Sequence, residues 1–237
     1  AQMAMGFIDT VMAGHYSTDA LAAIAIGTSL LHPILVFFLG LFLAFNPIVA
    51  HLKGAGNNKK IKTHFHAGVL LAIIFSPVAI ILLLNSSFIL SSLDIEPAVA
   101  KLAFSYLQAT LWGMPALLLF LALRFCNEGM FSTVSIMVIT IISIPFNIVF
   151  NYWFMHGGYG IDEMGAVGVG YATGLIWVLM FIGITLYTLK PRLFDTPIHV
   201  FLKEGLLVIS LSELLVEEAV RALQQDAEDS FRSSKGP

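Results

Sequence analysis

Long apolar runs separated by short polar islands set the pattern of this chain. Residues 20–52, 67–93, 102–123, 129–161 and 164–189 contain no Asp, Glu, Lys or Arg. A hydrocarbon core about 30 Å thick needs about 20 helical residues, whereas a spanning strand needs only about 10 residues with strict in-out alternation, which these runs lack. Each run is therefore predicted to be a helical span. The opening segment has the same character but gives only about 13 residues, or about 20 Å of helix. It lacks the basic start and unbroken apolar core of a secretory signal, because no Lys or Arg precedes Lys53 and Asp9 interrupts the run. It reads as a spanning helix whose first turns precede Ala1. The fold class expected is all-α: a polytopic membrane helix bundle of six spans, the first one truncated. Pro33, Pro47, Pro77, Pro115 and Pro145 fall inside the runs, and each is expected to kink its span by removing a helical hydrogen bond.

Composition agrees with this pattern. Of 237 residues, 58% are hydrophobic and 11% charged, against about 25% charged in a soluble domain. The single cysteine, Cys126, excludes an internal disulfide or a multi-cysteine metal site and is expected to be structural. No nucleic-acid partner is indicated. The net charge of −3 says less than where the charges lie. "KGAGNNKKIK" carries Lys53, Lys59, Lys60 and Lys62, and the last exit adds Lys190, Arg192 and Lys203. The alternate loops carry Asp19, Asp94, Glu96, Asp162 and Glu163 without Lys or Arg. By the positive-inside rule the basic loops are cytoplasmic. The expected placement is a multi-pass protein of the cell inner (plasma) membrane with a cytoplasmic N-terminus.

Asp9 is the one acidic residue inside a predicted span, where a carboxylate costs about 2.5–3.5 kcal/mol at the helix centre. It must face protein or water. It stands five residues before Gly14, roughly 7–8 Å below the outer end of its helix. In the fifth run, "PFNIVFNYWFMHG", Asn151 stands six residues before Gly157, at a comparable depth of roughly 9 Å. Asn147 lies one turn deeper on the same face. A carboxylate with two amide oxygens is a set of hard donors suited to a hard cation; amide pairs also serve as glue between membrane helices. A proton and a cation would compete for such a carboxylate, which is the physical requirement of an antiporter. The glycines Gly165, Gly168, Gly170 and Gly174 do not have the spacing of a phosphate-binding loop and are expected to serve close helix packing.

Several stretches carry a resemblance. "MGFIDTVMAGHYSTDALAAIAIG", "GMPALLLFLALRFCNEGM", "PFNIVFNYWFMHGGYG" and "MGAVGVGYAT" resemble the first helix and entry to the second, the fourth helix, the fifth and the sixth of the multidrug and toxic compound extrusion (MATE) family, NorM branch. The resemblance covers residues 1–205. It implies one six-helix lobe of a twelve-helix, two-lobed exporter of cationic amphipathic small molecules, such as drugs and dyes, in exchange for Na⁺ or H⁺. It also implies that Asp9, Asn147 and Asn151 match the acidic and amide positions involved in ion binding. Some branches have a further carboxylate in the fifth helix; "NIVFNYWF" has none, and Na⁺ is favoured over H⁺ as coupling ion. No cofactor is implied, and no metal beyond that Na⁺.

Residues 206–237 depart from the family. Leu211, Leu214, Leu215, Val220 and Leu223, interleaved with Glu213, Glu217, Glu218 and Arg221, predict a short amphipathic helix and a polar acidic tail in place of a seventh span. The expected activity is thus that of an N-terminal lobe holding the coupling-ion site, embedded in membrane lipids, lacking its C-terminal partner lobe and unable to transport alone. The alternatives are a non-transporting membrane scaffold or assembly subunit, in which the polar residues only join helices, and a lipid-precursor flippase of the same superfamily. An enzyme is not expected, since there is no second intramembrane carboxylate and no H-E-x-x-H; an ATP-driven pump would need G-x-x-x-x-G-K-[ST].

Overall fold

A computed structural model describes residues 2–92, 95–158 and 160–189. Lys190, Arg192, Lys203, Asp94 and the amphipathic helix expected in 206–237 lie outside the described residues. Those described form helices α1 (Gln2–Tyr16), α2 (Thr18–Leu43), α3 (Phe45–Gly54), α4 (Asn58–Leu84), α5 (Ser86–Ser92), α6 (Pro97–Leu111), α7 (Met114–Gly129), α8 (Thr133–His156) and α9 (Ala166–Leu189), and no strand. The all-α membrane fold is as the apolar runs require.

The spans are assembled less uniformly than the runs suggest. Thr18–Gly54 (α2 with α3), Asn58–Phe88 (α4 entering α5), Thr133–His156 and Ala166–Leu189 are each long and apolar enough to cross a bilayer. α6 and α7 qualify only together, bent by 54° at the break between them. α1, at 15 residues, reaches about 22 Å and falls short of a full crossing. The described residues thus supply four helices long and apolar enough to cross, or five crossings if the bent α6–α7 pair forms one, besides the short α1.

Local chemistry explains several boundaries. Ser17 caps α2 by accepting from the Ala20 N–H (3.0 Å), and Asn57 caps α4 by accepting from the Lys60 N–H (3.2 Å). Three of the five prolines, Pro33, Pro77 and Pro145, sit within helices as expected. Pro47 and Pro115 do not remove a helical bond. They occupy the first turns of α3 and α7, where the N–H has no intrahelical partner to lose, so the chain breaks just before them. Charge misplaces one boundary: α7 continues past Leu123 through Arg124 and Glu128, which neutralise each other four residues apart at 2.7 Å. Cys126 is buried on that extension. Half of the expected outer loop after Asn85 is the short helix α5.

Small residues set the packing distances. A methyl on Gly168 would lie 2.5 Å from the Phe154 carbonyl carbon, one on Gly170 2.6 Å from the Tyr106 oxygen, and one on Gly113 2.5 Å from the Gly174 Cα. α9 therefore lies backbone to backbone against α8, against α6, and against the α6–α7 break, as the glycine series predicts. Bulky side chains on α4 (Leu70, Ile73, Ile74, Ile81) and α8 (Ile141, Ile142, Val149) remain exposed, the faces that acyl chains cover.

Candidate functional site

Three helices turn their buried faces toward one point near the end of the bundle where α1 and α8 finish. α1 buries Met5, Asp9 and Ala13 at four-residue steps. α8 buries Ser143, Asn147, Asn151 and Met155 at the same step, so the two amides share the inward stripe while Ile142, Phe146 and Val149 point away. α9 contributes the turn Val169–Thr173.

The loop between α8 and α9 fixes their relation. Gly157 ends α8 with φ 74°, and Gly165 precedes α9 with φ 54°, conformations open to glycine at little cost. A Cβ on Gly165 would also press on the Tyr16 ring at 3.0 Å, which would have to give by a few tenths of an ångström. Met164 and Gly165 donate their N–H groups back to Phe154 and Met155 (3.2 and 3.1 Å). Tyr16, at the end of α1, donates to Glu163 (2.7 Å) in the same loop. The C-terminal ends of α1 and α8 and the N-terminal end of α9 are thus tied together.

Within the site, Asp9 is 5% exposed, Asn147 1% and Asn151 0%. Asn151 Nδ2 donates to Asp9 Oδ1 at 2.6 Å, and Asn147 Nδ2 donates to the same oxygen at 3.2 Å. All three residues singled out from the sequence are therefore brought into one hydrogen-bonded group, joining α1 to α8 across 138 and 142 residues of chain. The fourth member, Thr173, was not anticipated. Its Oγ1 lies 3.5 Å from Asp9 Oδ2 and 2.9 Å from the Val169 carbonyl. One hydroxyl proton serves one acceptor at a time, and the carbonyl is nearer. In the sequence, Thr173 stands in a small-residue packing stretch and reads as a threonine bonded to its own helix.

The two amide oxygens complete the geometry. Asn147 Oδ1 and Asn151 Oδ1 are buried and accept no hydrogen bond. Most buried polar atoms in proteins have a partner, and an orphan costs about 1–3 kcal/mol. Turning both N–H groups toward Asp9 satisfies the carboxylate and leaves the amide oxygens unpaired. The group therefore offers a carboxylate, two free amide oxygens and a nearby hydroxyl oxygen in a closely packed environment. No group of three or more His, Cys, Asp or Glu able to hold a metal occurs among the described residues.

Comparison with known proteins gives a consistent result. The MatE family model matches residues 1–153. The multidrug resistance protein NorM of Aliivibrio fischeri is 42% identical over 194 residues, covering 81% of this chain and 42% of that protein. The probable multidrug resistance protein NorM of Shewanella oneidensis is 41% identical over 186 residues, covering 78% of this chain and 40% of that one. The chain thus spans about two fifths of the length of these relatives. In fold, the eukaryotic MATE transporter AtDTX14 is similar with a TM-score of 0.72 at 19% identity, over 78% of this chain and 41% of that chain. A MATE structure in the bent conformation gives 0.72 at 20% identity, over 81% and 42%.

Proposed function

This chain belongs to the MatE family, and from that premise we propose that it is the N-terminal lobe of a cation-coupled exporter of cationic amphipathic small molecules, with Asp9, Asn147, Asn151 and Thr173 as its coupling-ion site. The observation that carries this reading is the pair of orphan amide oxygens beside a buried carboxylate. A structural clasp would leave no reason for two acceptors to be buried without donors. A cation site needs them.

The residues support a simple exchange. Without a cation, the amide N–H groups of Asn147 and Asn151 point at Asp9 Oδ1 and partly offset its charge. A half-turn of each amide about its terminal bond presents the oxygens instead, and together with the carboxylate they can replace the hydration of Na⁺. Asp9 protonated is neutral and no longer attracts the ion, so proton and Na⁺ occupy the site in turn. The charge of the site then differs between the two states, and that difference is what can bias the packing of α1 against α8 and α9. Na⁺ is the favoured coupling ion because α8 supplies amides where a second carboxylate would favour protons.

The lobe sits as a multi-pass unit in the inner membrane with its N-terminus cytoplasmic, among lipids. It works with a second, C-terminal lobe, because alternating access needs two bodies that rock about a shared path. It performs no covalent chemistry. The test is a thermal melt of the purified chain in detergent with increasing NaCl, using choline chloride at equal ionic strength as control. Stabilisation by Na⁺ that disappears in Asp9→Asn supports the ion site; Na⁺ stabilisation unchanged in Asp9→Asn and Asn151→Ala contradicts it and favours a scaffold whose polar residues only join helices.

A further inference from the structure

Between α5 and the start of α6 lies a groove of about 370 Å³, lined chiefly by Leu90, Ile95, Ala100 and Phe104, with Ser87 and Lys101 as its polar members. Leu90 clusters with Ala23 of α2 and with Val99 and Ala103 of α6, so the groove sits at the end of the bundle where α2 and α6 begin. The crossing Asn58–Phe88 finishes there, and the bent α6–α7 pair starts at Pro97. Lys101 follows four residues later, about 6 Å along α6, and its aliphatic stem can carry the ammonium back to the membrane surface. Charge sets this lysine apart. Lys53, Lys59, Lys60 and Lys62 lie around the α3–α4 junction and Arg124 late in α7, at the opposite end, whereas the acids Asp19, Glu96, Asp162 and Glu163 share the end where Lys101 stands. The ion pair formed among the described residues is Arg124–Glu128, so Lys101 pairs with none of those acids.

Glu96 is in the same position. It is exposed, and although it stands at the N-cap of α6 its side chain makes no cap hydrogen bond. In the chain it falls between Ile95 and Pro97, both of which line the groove. Five residues apart on a helix, Glu96 and Lys101 do not face each other. An unpaired acid and an unpaired base thus flank one apolar groove at the bilayer boundary. We propose that this groove is a phosphatidylethanolamine site: Lys101 and the Ser87 hydroxyl donate to the lipid phosphate, Glu96 accepts from the lipid ammonium, and one acyl chain lies along Leu90, Ile95 and Phe104. A soluble zwitterion or anion would meet the charged groups but leave the apolar wall wet. A phospholipid of net negative charge would be repelled by the acids at this end and would bring no cation to Glu96. The groove shares no residue with the Asp9 group.

The test titrates the full chain, purified in a neutral detergent, with phosphatidylethanolamine or with phosphatidylglycerol and counts bound lipid by native mass spectrometry. Ala100→Phe places a ring in the groove, so lipid held by the unaltered chain and lost from this variant marks the occupant. One phosphatidylethanolamine per chain is the expected difference; no difference would overturn the groove as a lipid site, and a difference carried by phosphatidylglycerol instead would overturn the headgroup assignment. Lys101→Gln and Glu96→Gln alter exposed side chains and are expected to leave the lipid-free melting temperature unchanged. Each should weaken the phosphatidylethanolamine marked by Ala100→Phe about threefold, and Glu96→Gln should also narrow its preference over phosphatidylglycerol. Lys60→Gln, at the opposite end of the bundle, should leave that lipid in place. Binding unchanged in both Lys101→Gln and Glu96→Gln would overturn the proposal even if Ala100→Phe fails to fold. Phosphoethanolamine, the headgroup without chains, should not displace the lipid at equal concentration; displacement would overturn the role of the apolar wall.

Discussion

Asp9 receives two amide donors on one oxygen and only a distant hydroxyl on the other. That asymmetry gives graded expectations. Asn151→Ala removes the shorter bond and Asn147→Ala the longer, so both should weaken Na⁺ binding, Asn151→Ala more, by at least tenfold in a titration followed by intrinsic fluorescence. Removing a hydrogen bond to a charged group costs about 1.5–3 kcal/mol, and Asn151→Ala should therefore also lower the melting temperature without Na⁺. In the proposed exchange proton and Na⁺ share one carboxylate, and the sign with pH follows: acid should raise the apparent Na⁺ dissociation constant, approaching tenfold per unit where the protonated form dominates, and Asp9→Asn should abolish the dependence. A pH-independent Na⁺ affinity would contradict the exchange. These three residues were legible because each is a polar side chain in an apolar run, at matching distances from the C-terminal ends of α1 and α8. Thr173 was not, since a hydroxyl that can bond its own helix carries no demand for an outside partner.

Helices in this molecule end where backbone chemistry ends them, and charge is a poorer guide. Arg124 and Glu128 read as the edge of a span, yet they pair on α7 and let it continue. Pro47 and Pro115 read as kinks, yet each begins a new helix, and the 54° bend between α6 and α7 has no sequence signal beyond Gly113 followed by Pro115. The long crossings were legible from hydropathy alone, because five uncharged runs of that length admit no other fold in a bilayer. Close packing by glycine was legible from the series in α9, and it makes a firm prediction. Gly168→Ala places a methyl 2.5 Å from α8 backbone, which cannot move aside like a flexible side chain, so it should destabilise by about 1–3 kcal/mol and loosen the α8–α9 pair that positions the site. Gly6→Ala in α1 meets nothing within 4 Å and should be neutral or slightly stabilising. Thermal melts of the two variants in detergent check this, and equal stability would mean that α9 does not approach α8 as closely as described.

As a whole, the chain gathers the Asp9 group at one end of its bundle while spanning about two fifths of the length of its relatives. In the proposed reading, coupling requires that the site's charge bias two arrangements of a larger assembly, and a single lobe would offer the bias without the opposing wall. Cells making this chain alone should therefore extrude a cationic dye no faster than cells carrying an empty vector, whereas efflux driven by the chain alone would show that copies of it can form the path together. The proposed ion site itself needs no second lobe, since Asp9, Asn147, Asn151 and Thr173 all come from α1, α8 and α9. Equilibrium binding of radioactive sodium to the purified, reconstituted chain tests it most directly. One ion per chain, displaced by acid and lost in Asp9→Asn, is the predicted result; sodium bound at the same stoichiometry by Asp9→Asn, or none bound by the unaltered chain, would contradict it.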